Sequence, residues 1–225
     1  YAHIAGMLGN FDPKMPPFCC LTGGTSGDSF LKTTRSNVVT FDAYPLGPAI
    51  QAGDPAPLHG FANLCGQFAD QAARYKAQSW AVVQCHAITG QLRFPTAAEL
   101  RCMSWSALAH GSKGVFWFLY QTELVGPQTI MSGLVDRNFN PRPLWNEVSR
   151  LAHELQPLAP TLASLKPDPA NRAVIAGADG HCFQDSAGKT YIIAVNFDTL
   201  KPAQVTIQPA GGEKILLLDQ REESA

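Results

Sequence analysis

Hydrophobic and polar positions follow two different periods along the 225-residue chain. The segment from Trp80 to Glu123 carries the clearest pattern. Trp80-Ala-Val-Val-Gln-Cys85 and Val115-Phe-Trp-Phe-Leu-Tyr120 are near-continuous apolar runs, as expected of parallel strands buried on both faces. Between them Leu100, Met103, Ala107 and Leu108 recur at helical spacing. Thr96 and Glu99 form a capping box ahead of that helix, and Gly111 is placed to end it. Upstream, Pro16 to Gly24 reads as a short apolar strand ending in glycines and Asn37 to Pro45 as the next strand, with a short helix around Asp28 to Thr34 between them. Phe61, Leu64, Cys65, Phe68, Ala72 and Tyr75 mark a helix after a Pro/Gly-rich loop, Leu46 to His59, long enough to be functional. Pro143 opens a last helix with Leu144, Val148, Leu151 and Leu155 as its buried stripe.

Residues 16 to 158 thus read as four successive strand–helix units, which implies a parallel sheet with helices outside. Pro157, Pro160, Pro167 and Pro169 mark a boundary, beyond which the period falls to two. His181–Gln184, Thr190–Asn196, Gln204–Gln208 and Lys214–Asp219 are expected as strands of a small antiparallel β-sandwich-like domain. The expected division is 1–162 for the α/β part and 163–225 for the β part.

Composition narrows the function classes. Lys plus Arg number 17 against 18 Asp plus Glu, without a basic run, so nucleic acid is not an expected partner. No apolar stretch reaches the roughly 20 residues of a membrane span, so a soluble chain is expected. The first residue is Tyr1, and no signal-like n-region and h-region precede it. Either a leader has been removed, as in a secreted or periplasmic protein, or the chain begins inside a longer gene product. Six cysteines without CxxC pairs read mostly as small buried hydrophobes. The histidines show no HxH or HExxH spacing, and Cys85-His86 with Cys19-Cys20 lacks a metal-ligand pattern. No metal or cofactor is expected. No GxSxG elbow is present either.

Three pieces carry a resemblance: the strand ending at Gln84; the helix Glu99–His110, ending Ala-Leu-Ala-His-Gly, with the strand Gly114–Tyr120; and Gly133-Leu-Val-Asp-Arg137 followed by Pro141-Arg-Pro-Leu-Trp145. Together they resemble the C-terminal half of a (β/α)8 TIM-barrel glycoside hydrolase, most nearly the family 42 β-galactosidases. The resemblance implies that the four strands are the fifth to eighth of the barrel. It implies a carbohydrate substrate and hydrolysis of O-glycosidic bonds by two carboxylates. The general acid/base of such enzymes ends the fourth strand, upstream of Tyr1. The nucleophile ends the seventh strand, where this chain has Gln84 or its neighbour Cys85; an amide cannot be a carboxylate nucleophile. A non-catalytic carbohydrate-binding protein, or a piece of a longer glycosidase, is the alternative expectation.

Site candidates follow from strand ends, because an α/β barrel gathers its site at the C-terminal ends of its strands. Asp42 and Glu123 are the candidate catalytic carboxylates; Tyr44, Gln84, His86, Trp117 and Tyr120 are candidate sugar-binding residues. For Gln84 the competing reading is an amide satisfied by backbone, for Trp117 core packing, for His86 and Glu123 plain loop positions. Asp136 and Arg137 are expected to form a structural pair. Four parallel strands leave two open edges, so a homodimer, or pairing with a missing N-terminal half, is expected.

Overall fold

The computed structural model describes residues 2–11, 18–22, 25–170 and 172–210. The elements in order are α1 (Ala2–Phe11), β1 (Cys20–Leu21), α2 (Gly27–Thr34), β2 (Val38–Ala43), α3 (Pro55–Arg74), β3 (Gln78–Gln84), β4 (Ala87–Ile88), α4 (Ala97–Ala109), β5 (Gly114–Phe118), β6 (Glu123–Leu124), β7 (Ile130–Ser132), α5 (Pro143–Ser164), β8 (Lys166–Pro167), β9 (Ala173–Ala176), β10 (Asp179–Gln184), β11 (Thr190–Val195) and β12 (Thr206–Pro209). Strands β1, β2, β3 and β5 form a parallel sheet in that order. The register sets Asp42 beside Val82 and Gln84 beside Phe118.

Alternation divides the strand residues between two faces. Val39, Phe41, Ala81, Val83 and Cys85 point toward the helices and join Phe61, Cys65, Phe68, Leu100 and Met103 in one core. Thr40, Asp42, Trp80, Val82, Gln84, Phe116 and Phe118 point the other way. Phe41 stacks on Phe68 of α3, with ring centres 4.2 Å apart.

Helix α3 begins earlier than its apolar stripe suggests. Asp54 caps it by accepting from the Ala56 amide, and Pro55 occupies the first turn, where a missing N–H costs nothing. The capping box of α4 forms as read, and Gly111 follows its end with φ +96°. Gly133 is needed for a close approach: a Cβ there would lie 2.7 Å from the Tyr120 carbonyl oxygen.

The prolines do not end α5 where the pattern suggests. Pro157 and Pro160 lie inside the helix, which runs to Ser164. Each removes one intrahelical bond, but contacts from α4 and its following turn hold the helix. Arg101 donates to both Glu154 carboxylate oxygens, and the Lys113 ammonium donates to the Leu162 and Leu165 carbonyls at the helix end. Burial lowers the Lys113 pKa.

Beyond α5 the pairing is antiparallel, in sheets β11-β10-β8 and β12-β9. The strand expected at Lys214–Asp219 lies outside the described residues. Among the described residues no helix is long and apolar enough to cross a membrane. All six cysteines are free; Cys65, Cys85, Cys102 and Cys182 are buried, Cys19 and Cys20 exposed. Asp136 does not pair with Arg137: its carboxylate accepts from the Asn138 and Asn140 amides and from the Asn140 side chain. A short polar turn offers a carboxylate several N–H donors at once, which outcompetes one flexible guanidinium.

Candidate functional site

The site lies on the inner face, at the C-terminal ends of β2, β3 and β5. Three rings meet there: Tyr44 is 4.6 Å from His86 and 5.9 Å from Phe118, and His86 is 5.2 Å from Phe118, between ring centres. Asp42 adjoins them. Burial first, then the charge of Asp42 and a hydrogen bond with it, raises the Tyr44 phenol well above its ordinary range.

His86 is fully inaccessible. Its Nδ1 lies 2.8 Å from the Phe118 carbonyl oxygen. A carbonyl can only accept, so Nδ1 carries the proton and Nε2 is left as an acceptor. Nε2 has no partner. Burial lowers the His86 pKa, against the opposing pull of the Phe118 carbonyl and the Asp42 charge, and favours the neutral ring. Thr40 Oγ1, on the same face, is likewise buried and unpartnered. Buried polar atoms normally find partners, so the inner face holds unmet hydrogen-bonding capacity.

Gln84 is placed differently from the expectation for a sugar ligand. Its Oε1 accepts from the Leu46 amide at 3.0 Å, and its Nε2 donates to the Arg93 carbonyl at 2.9 Å and the His86 carbonyl at 3.3 Å. The amide is wholly buried and engaged with backbone on every side. Arg93 extends the brace with two bonds to Glu99, at 2.7 and 2.8 Å, and one to the Ile50 carbonyl. Glu99 also accepts from the Gly53 amide. Burial alone would raise the Glu99 pKa, but Arg93 and the Thr96 and Gly53 amides lower it. Two loops at the mouth are thereby tied together. Cys85 faces the helices, and burial lifts its thiol to about 12.

Trp117 also lies away from the mouth. It packs on the helix side, and its indole N–H donates to Ser104 of α4 at 3.0 Å. The strand remains regular through Phe118, so Trp117 must face opposite its neighbours. Tyr120 is half-exposed and sits edge-on to Trp145 at 5.8 Å, beside the start of α5. Glu123 is exposed on β6, in a small antiparallel sheet β4-β7-β6 built on the loops after β3 and β5. The mouth therefore joins Asp42, Tyr44 and His86 directly, with Tyr120 and Glu123 on those flanking loops.

A second cluster escaped the sequence reading. His110, the residue capping α4, places Nε2 2.8 Å from Asp179 Oδ2, and His181 Nε2 lies 3.3 Å from Asp179 Oδ1. Asp179 and His181 are two apart on β10 and share a face. The Asp-x-His spacing was the available signal; its partner, distant in sequence, was not legible.

Residues 7–158 match the family model of glycoside hydrolase family 42, described as beta-galactosidase. The chain belongs to this family. Among solved structures it is similar to the β-galactosidase of the psychrophilic Marinomonas ef1, at 17% identity and a TM-score of 0.54, over 72% of this chain and 27% of that one. The β-galactosidase of Bacillus circulans sp. alkalophilus gives 18% and 0.51, over 72% and 23%. The polyextremophilic β-galactosidase of the Antarctic haloarchaeon Halorubrum lacusprofundi gives 17% and 0.52, over 72% and 25%. At these identities the likeness is one of fold, and it supports a partial TIM-barrel-like α/β domain. The chain spans about a quarter of the length of these β-galactosidases. No curated protein matches it in sequence.

Proposed function

We propose that this protein is carbohydrate-active and hydrolyses O-glycosidic bonds, with β-galactosides as the first substrate class to test. In this reading β1, β2, β3 and β5 correspond to the fifth to eighth strands of a TIM barrel, and residues 163–225 form a separate β unit. The observation that carries it is the inner-face group Asp42, Tyr44 and His86, which combines a carboxylate, a phenol and a buried acceptor without a partner. Asp42 is the catalytic carboxylate, and Glu123 on the flanking sheet the second. Tyr44 takes up a sugar hydroxyl beside Asp42, His86 stands behind it as a substrate-binding acceptor that solvent does not reach, and Tyr120 offers a half-exposed ring to a pyranose face. Gln84 and Trp117 serve the scaffold that holds them. A panel of nitrophenyl glycosides tests the reading: turnover by the native protein, lost in Asp42→Asn, is expected. Galactoside binding without turnover in either protein favours recognition without hydrolysis, the outcome that the amide at Gln84 would explain.

The inner face also suggests a second copy of the chain as partner. Phe18, Trp80 and Phe116 form an aromatic group there, with ring centres 5.5–5.9 Å apart, and Phe18 and Phe116 are 48% and 40% exposed. Two four-stranded halves joined by their edges give the eight strands of a closed barrel. Sedimentation at micromolar concentration should show a dimer that Phe116→Asp weakens. A compact monomer throughout would remove this part of the reading.

A further inference from the structure

The clearest chemistry outside the mouth is the His110, Asp179 and His181 cluster, where the end of α4 meets β10. We propose that these three residues bind a divalent transition-metal ion, zinc by their donor chemistry, and that the ion clasps the antiparallel strands to the parallel α/β part. Two imidazole nitrogens and a carboxylate oxygen are a donor set that Zn²⁺ takes at about 2.0–2.2 Å, normally in tetrahedral geometry.

The three ligand atoms already lie within 4.8 Å of one another. The two imidazole rings are 4.4 Å apart between centres, tilted at 58°, with Asp179 contacting both Nε2 atoms. A tetrahedral ion with bonds of that length needs ligand atoms roughly 3.3–3.5 Å apart, so small side-chain rotations suffice. His181 Nε2 is buried and makes no hydrogen bond, despite lying near Asp179. Its lone pair or proton is misdirected for the carboxylate, which is what an atom aimed at a shared third partner would show. The ligands come from two elements 69 residues apart in sequence, so an ion here closes a long loop between them.

Three protein ligands leave a tetrahedral ion one further position to fill. Asp179 also lines a cavity of about 500 Å³ between the start of α3 and the turns around β10 and β11, with His59, Phe197 and Asp198. Of the three ligands only Asp179 borders this cavity. Such a site is independent of glycoside chemistry, because none of its residues belongs to the mouth.

Untagged protein stripped with a chelator and titrated with Zn²⁺ by calorimetry is the test, with thermal unfolding as the second readout. One equivalent should bind at micromolar affinity or tighter, and a hundredfold excess over Kd should raise Tm by several degrees. Asp179→Asn and His181→Ala should each abolish the zinc-dependent rise, whatever their own starting Tm. The double variant Cys19→Ser, Cys20→Ser should keep it, which separates this site from the exposed thiols. Co²⁺ should give a visible ligand-field spectrum without an intense thiolate charge-transfer band, a readout that needs no variant. Absence of any zinc-dependent shift, a shift that survives both ligand variants, or a thiolate band would overturn the proposal.

Discussion

On the helix side of the parallel sheet, Val39, Phe41, Ala81 and Val83 are as inaccessible as residues can be, and every one packs against α3 or α4 in a single apolar core. On the inner side, Thr40 and His86 are equally inaccessible, yet Thr40 Oγ1 and His86 Nε2 have no partners, and Phe116 lies 40% exposed. Adjacent residues of one strand therefore meet opposite fates. The helix side maximises close packing, which stabilises the fold without further chemistry. The helix side has one such atom near the start of β3, Ser79 Oγ, but at the strand ends it is the inner side that leaves desolvated polar atoms unsatisfied, which costs stability and makes sense where a ligand completes them. Stability resides on the helix side, and the proposed function assigns recognition to the inner one.

The contrast is broken most severely at Phe41. Removing its ring from the stack on Phe68 should cost about 3–5 kcal/mol, the usual range for a buried Phe→Ala change. Urea unfolding of Phe41→Ala would measure it; a loss under about 1 kcal/mol would mean that the helix side is not the stabilising face. One residue further along β2, Asp42→Asn should leave stability within about 1 kcal/mol. Its effect should fall on turnover instead, about 10²–10⁴-fold for a carboxylate that moves a proton. If Asp42→Asn unfolds the protein as readily as Phe41→Ala, the two faces do not divide the work.

The apolar periods made most of the sheet and helices legible, because burial imposes them locally. Thr96 and Glu99 announced α4 for the same reason: a capping box is complete within four residues. The start of α3 lies earlier than a stripe beginning at Phe61 suggests, because Asp54 and Pro55 set its true beginning and Leu58 is already buried within it. The end of α5 was read early because Lys113 and Arg101, both remote in sequence, hold a helix that its own prolines weaken. The site divides in the same way. Strand ends pointed to Asp42 and His86, but alternation alone could not show that Gln84 would find three backbone partners in two loops. Nor could it join His110 to Asp179.

Gln84 is the inner-face residue that behaves like the helix side, and replacing it sharpens the comparison. Gln84→Ala leaves the Leu46 amide and the Arg93 and His86 carbonyls short of a partner in a buried place. The expected cost is about 1–3 kcal/mol, read by urea unfolding, with the loops around Leu46 and Arg93 exchanging amide hydrogens faster. Gln84→Glu restores the residue type that the resemblance assigns to a nucleophile. It also sets a carboxylate against two carbonyl oxygens and removes both donated bonds. It should therefore destabilise at least as much as Gln84→Ala at neutral pH. A stable Gln84→Glu protein with new glycosidase activity would show that the loops can release this side chain to the mouth.

The smallest effect concerns protons. In an unfolded chain His86 would titrate near 6.5, whereas burial holds its native value lower. Below pH 6.5 the unfolded chain therefore binds more protons than the native one. The contribution of neutral His86 is fully present above that pH and is lost as pH falls toward the native pKa. The slope from one such group cannot exceed about 1.4 kcal/mol per pH unit. Burial also lowers His110, which adds a similar slope in the same window, so the wild-type curve alone cannot isolate His86. His86→Phe removes the titrating ring while keeping an aromatic beside Tyr44 and Phe118. Urea unfolding from about pH 7.5 to 5 should show a flatter profile for this variant than for the wild type. Parallel profiles would mean that His86 accepts a proton as easily in the fold as out of it. The unpartnered Nε2 would then be reachable by water, and the contrast between the two faces of the sheet would lose its sharpest member.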